Sequence, residues 1–131
     1  MRDITGTWRL LKATTVAADG APLPPAFGGE NAMGRLVLNA DGRMMSVVCD
    51  GRRDLQVGER REYSSYCGNY SFDGERLVTR VDAASDPARI GSEQIREVRF
   101  EGETMILRPP LDDYWGAAQQ REVHWQRMGE A

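Results

Sequence analysis

Residues 34–48 read "GRLVLNADGRMMSVV": two apolar, strand-like runs on either side of Asp41-Gly42. An acidic residue before glycine, set between such runs, marks a hairpin, because glycine accepts the positive φ that a tight turn requires. The cue recurs. Asp73-Gly74 parts "YCGNYSF" from "ERLVTRV", and Glu101-Gly102 parts "QIREVRF" from "TMILRP". Asp19-Gly20 is the weak member of the set, since a long connection rich in proline and glycine follows it.

Working outward, about eight strands emerge, near residues 7–17, 34–39, 43–49, 66–72, 75–83, 93–100, 104–109 and 120–128. Three longer connections lie between them. "APLPPAFGGENAM" reads as an irregular loop or lid. "DGRRDLQVGERREYSS" is polar, and its later part, Glu59 to Ser65, has the makings of a short helix. "PPLDDYWGAAQQ" carries Tyr114-Trp115 where a loop would fold over a mouth or simply be anchored. No crossover helix separates the runs, so the fold class is all-β, an eight-stranded antiparallel up-and-down barrel with at most a short helix. A β-sandwich is the competing architecture. The tight hairpins favour the barrel, which has room for packed side chains or one small ligand.

At 131 residues, the chain has the size of one domain spanning 1–131. Net charge is −3 and no basic stripe appears, which disfavours nucleic acid. No stretch approaches the ~20 apolar residues of a membrane span, and the N-terminus lacks a signal-peptide core, so the expected location is the cytoplasm. Cys49 and Cys67 are then expected to be reduced, buried thiols.

Alternation along each strand sorts the side chains. Trp8 and Leu10 share one face of the first strand, and Val123 and Trp125 one face of the last; these are placed inside, which turns His124, the single histidine, outward to the surface. Tyr66, Gly68, Tyr70 and Phe72 share a face, as do Leu77, Thr79 and Val81. The strand "SEQIREVRF" forces a choice. One face holds Glu93, Ile95, Glu97 and Arg99, which belong in water, so Gln94, Arg96, Val98 and Phe100 must point in. Burying a guanidinium without partners costs several kcal/mol, so the site has to be wet, paired or filled by a ligand. One outcome is an arginine at the rim, satisfied by protein groups. The other is the polar end of a ligand pocket built from Arg96, Gln94, Thr79, Tyr70 and Tyr66, with Met44, Met105 and Leu107 as apolar wall. There Arg96 would hold a carboxylate or an enolate-like oxygen and Tyr70 would relay a proton.

"GTW" at residues 6–8 and "HWQRM" near the C-terminus resemble the lipocalin pattern, in which a tryptophan near the start packs beneath a closing-strand arginine. The resemblance implies a tryptophan plug covered by the Arg127 guanidinium. Six stretches, "GTWRLLKAT", "GRLVLNADGRMMSVV", "YCGNYSFDGERLVTRVD", "GSEQIREVRF", "MILRPP" and "HWQRM", look like the bacterial and fungal lipocalin-like domain family, small single-domain barrels, in the family's order. Gly91, Gln94 and Arg96 match its Gly-X-X-Gln-X-Arg pattern, and a pattern shared so widely can serve the fold. Where relatives often carry paired histidines, this chain has Thr79-Arg80. Some barrels of this kind act in natural-product pathways as cyclases or isomerases, or as carriers.

No phosphate-binding glycine loop or Gly-X-Ser-X-Gly elbow occurs, and one histidine with two distant cysteines makes a structural zinc improbable. The expectation is therefore cofactor-free: an isomerase or cyclase acting on a small, largely apolar organic molecule, plausible for polyketide-like biosynthesis. Arg96 and Tyr70 would be catalytic, with Trp8, Met44, Tyr66, Thr79, Gln94, Met105, Leu107, Tyr114, Trp115 and Trp125 around the ligand and no metal. The alternatives are a non-catalytic carrier and a barrel that works only through its outer surface. Dimerisation through a barrel face stays open.

Overall fold

The structure, a computed structural model, describes residues 1–17, 19–109 and 119–129. Eight strands form: β1 Gly6–Ala17, β2 Ala32–Leu38, β3 Arg43–Asp50, β4 Tyr63–Phe72, β5 Arg76–Ala84, β6 Glu93–Glu101, β7 Thr104–Arg108 and β8 Gln119–Arg127. Each pairs antiparallel with the next, and β8 returns to β1, closing the barrel. Closure leaves no free edge. Two short 3-10 turns, Ala26–Asn31 and Pro87–Arg89, are the only helical pieces among the described residues. No helix there is long and apolar enough to cross a membrane.

The acidic-Gly turns do what the sequence requires of them. Gly42, Gly74 and Gly102 take φ of +90°, +99° and +60°. Asp41 accepts the Arg43 N–H at 2.9 Å, and Asp73 accepts those of Glu75 and Arg76. In an up-and-down barrel alternate connections share an end, so these three turns all lie at one end of the barrel. The longer connections from β1 to β2, β3 to β4 and β5 to β6 lie at the other.

Glu59 to Ser65 does not form the short helix expected there. Tyr63 to Ser65 open β4 instead, with Tyr63 paired to Cys49, because a sheet partner outweighs the weak helical preference of a stretch with no apolar stripe. β1 also departs from simple alternation. Its pairing with β8 slips between Leu10 and Lys12, so Leu11 is an extra residue and the inward set changes from Trp8 and Leu10 to Ala13 and Thr15.

The turn-bearing end is closed and filled. Trp8, Leu38, Met44, Leu77 and Met105 are buried there or just above it. Trp8 donates its indole N–H to Ile4 O at 3.0 Å. Arg127, opposite Trp8 in register, lies 4.4 Å from the Trp8 ring and donates to the carbonyls of Asp3 and Thr5. This is the arrangement the lipocalin resemblance implied. Gly6, at φ +130°, is needed beneath it, since a Cβ would come within 2.8 Å of the Arg127 guanidinium.

The outer face brings two corrections. His124 does point outward, but beside Ile106 and Lys12 its side chain is only 12% exposed and its Nε2 has no hydrogen-bond partner among the described residues. Burial, then Lys12, pushes its pKa down; Glu122, 3.8 Å away, pulls the other way and loses. Cys49 and Cys67 are unpaired and half-buried on the outside, not buried in the core.

Candidate functional site

The barrel interior opens at the end opposite Trp8, where a cavity of about 560 Å³ lies among Ala13, Leu36, Ser46, Val48, Tyr66, Leu107, Val123 and Trp125. That is within the range of small-molecule sites. Ala26 and Phe27, from the 3-10 turn between β1 and β2, complete one side of its mouth. Phe27 has φ +54°, a left-handed conformation unusual outside glycine, and Gly28 and Gly29 follow at +78° and +63°. The turn is fixed from outside: Glu62 accepts the Phe27 N–H at 3.0 Å, and Asp50 packs under Gly28. Asp50 is itself only 1% exposed and meets Arg52 at 2.6 Å. Those hydrogen bonds pull its pKa down to about 2.

Arg96 reaches the cavity, as the alternation of β6 demands. Its guanidinium donates to the Ile95 carbonyl at 2.8 Å and to Gln94 Oε1 at 3.0 Å. It keeps one side on the cavity while protein crowds the rest. Burial lowers its pKa most, the Tyr66 phenol opposes that, and a second arginine, Arg89, adds to it. Arg89 comes from the 3-10 turn after β5, which starts where Asp86 caps the Ala88 N–H at 3.0 Å. It donates to the same Gln94 Oε1 at 2.6 Å and to Ser64 Oγ at 2.9 Å, and lies 4.6 Å from the Tyr66 ring. Among the described residues neither arginine meets a carboxylate within salt-bridge distance. Glu122 also borders the cavity, but it is tied to Arg99 at 2.7 Å.

Of the residues singled out in the sequence, the structure brings Arg96, Gln94, Tyr66, Leu107 and Trp125 together at this cavity. It does not bring Tyr70 there. Tyr70 lies four steps along β4 from Tyr66, about 13 Å of strand, and the Tyr70 hydroxyl donates to Asn39 O at 2.8 Å beside the closed end. Burial, then Asp3 and Asp41, pushes its pKa up. Trp8, Met44, Met105 and Thr79 point inward but belong to the packed part of the barrel, at 3% exposure or less, and do not line the cavity. Tyr114 and Trp115 lie outside the described residues. Arg89, Ser64 and Phe27 were not foreseen. Ser64 had a signal, being one alternation step before Tyr66; Arg89 and Phe27 sit in connections, where no periodicity points a side chain anywhere.

A closed up-and-down barrel, plugged at one end and hollow at the other, defines the class of lipocalin-like barrels. A family model described as a lipocalin-like domain matches residues 5–128, so the chain belongs to that family. No curated protein and no solved structure matches it. Membership and the hollow end together suggest small-molecule binding.

Proposed function

We propose that the barrel takes a small, largely apolar organic molecule into its open-end cavity and promotes a cofactor-free isomerisation or cyclisation of it. The observation that carries this is Arg96: a guanidinium inside the cavity whose protein partners are one amide oxygen and one carbonyl. Such a group stabilises an oxygen that gains negative charge as a carbonyl becomes enolate-like, and it does so best where water is sparse. Leu36, Val48, Leu107 and Trp125 would hold the apolar body and limit its conformations, which lowers the barrier to ring closure through orientation. Tyr66, rather than Tyr70, supplies the phenol within reach of the same space.

Carriage without chemistry is the second reading, and one observation favours it. Among the described residues the cavity is lined by no histidine and by no carboxylate free of an ion pair, so an obvious general base is missing. Mass spectrometry of small molecules extracted from the purified protein, followed by incubation of each with fresh protein, separates the two. Turnover that falls at least tenfold in Arg96→Met supports catalysis. Saturable uptake with every molecule returned unchanged supports a carrier, and no extractable or bindable molecule would remove both.

A further inference from the structure

Gln94 offers one oxygen to two guanidiniums. Arg89 and Arg96 both donate to Oε1, so two cations lie within a few ångström of one another at the cavity wall. Each guanidinium has five N–H donors, and each makes two hydrogen bonds to described residues. Like charges that close repel even in a partly wet site. Among the described residues the charged groups that border the cavity are Arg89, Arg96 and Arg121, against Glu122, which Arg99 holds from outside. This happens in a chain whose net charge is −3, so the positive cavity is a local feature.

We infer that the cavity selects organic acids, with the carboxylate of the bound molecule lying between Arg89 and Arg96 and its apolar body against Leu36, Leu107 and Trp125. The assignment rests on the cavity being a small-molecule chamber, and narrows what the chamber takes. A carboxylate has two oxygens in a plane and matches the donor fork of a guanidinium. Set between two such forks, it replaces a cation–cation repulsion by two charge-assisted contacts. Gln94 acts as a positioning residue, because its one oxygen fixes both side chains at once. The Tyr66 ring, 4.6 Å from the Arg89 guanidinium carbon, gives that guanidinium a cation–π contact beside Gln94.

The test compares acids with their uncharged near-isosteres on the whole chain: 2-naphthoate against 2-naphthamide, and decanoate against decanamide, by titration calorimetry at pH 7. The wild-type protein is expected to bind the acid at least tenfold more tightly than the amide in at least one pair. Arg89→Gln and Arg96→Gln are each expected to reduce that preference about tenfold, with amide affinity changing little. Arg89 sits on a short turn outside the barrel strands, so Arg89→Gln keeps the test decisive even if Arg96→Gln fails to fold, with circular dichroism as the check on both. An amide bound as tightly as its acid by the wild-type protein overturns acid selection and leaves the chamber standing. An acid preference that survives both substitutions overturns the placement between the two arginines. Binding of none of the four probes at millimolar concentration overturns the chamber itself.

Discussion

At the closed end Arg127 lies 4.4 Å from Trp8, and at the open end Arg89 lies 4.6 Å from Tyr66, so a guanidinium faces an aromatic ring at both mouths of the barrel. The surroundings differ. Arg127 spends its donors on the carbonyls of Asp3 and Thr5, which come from the chain segment that crosses that end. Arg2 reinforces the same segment, donating to Gly102 O at 2.9 Å and stacking 4.2 Å from Phe100. Arg89 must share one amide oxygen with Arg96. Each guanidinium makes two hydrogen bonds, but Arg127 has its backbone carbonyls to itself, whereas Arg89 divides a side-chain oxygen with a second cation. Guanidinium over ring is a plug in one place and a ligand-facing wall in the other, and the neighbouring cation decides which.

If this contrast holds, substitutions in the closed-end plug cost stability and those of the cavity arginines at the open end cost binding. The largest effect belongs to Trp8→Ala, which removes the 1%-exposed plug; it should destabilise by about 3–5 kcal/mol in urea unfolding. A loss under about 1 kcal/mol would mean the plug does not hold the barrel shut. Next is Gly6→Ala, where a positive φ and the Arg127 guanidinium both oppose a Cβ; about 1–3 kcal/mol should be lost. Arg127→Met should cost about 1 kcal/mol, through the ring contact and two carbonyls left to water. Arg96→Met reverses the pattern. Removing a half-buried cation that no carboxylate among the described residues balances should leave stability unchanged or raise it by at most about 1 kcal/mol, while weakening uptake of whatever the cavity holds. A large loss of stability there would make Arg96 part of the frame.

Acid should sharpen the comparison further. The Asp50 pKa, about 2 when folded, lies below its ordinary 3.8, so the folded state binds fewer protons than the unfolded one between these values. Its contribution is therefore complete above about pH 5 and fades as pH falls toward 2. Asp50 packs under Gly28 and pairs with Arg52 at the open end. The unfolding free energy of the wild-type chain should fall through that window, and Asp50→Asn, though less stable at neutral pH, should show a flatter profile. Parallel profiles would remove Asp50 as the acid-sensitive tie.

The sequence made the barrel legible because its signals are local. Asp41-Gly42, Asp73-Gly74 and Glu101-Gly102 announce hairpins, and strict alternation in β6 leaves Arg96 no outward choice once Glu93, Glu97 and Arg99 claim water. Depth along the barrel axis was not legible. Alternation says that Tyr66 and Tyr70 share a face, yet it does not say that one lies at the cavity and the other beside a filled end. Trp8, Met44, Met105 and Thr79 face inward as alternation requires and still do not line the cavity, for the same reason: facing inward is a property of one residue, whereas lining a hollow depends on what every other strand contributes at that level. Arg89 and Phe27 escaped because 3-10 turns carry no face to read. The "SDPAR" stretch does hold a trace of it, since Asp-Pro starts a turn and sets the arginine three residues after the cap.

The extra residue Leu11 in β1 has a consequence for how this barrel can change. It divides one continuous strand into two segments with independent phase, so the plug-bearing half keeps Trp8 and Leu10 inward whatever the other half does. Were the same residues to run on in one unbroken phase, Lys12 and Thr14 would replace Ala13 and Thr15 on the inner wall, adding an ammonium and taking up room. The bulge therefore acts as a clutch between anchorage and capacity: ironing it out would remodel the hollow while the sealed base stayed as it is.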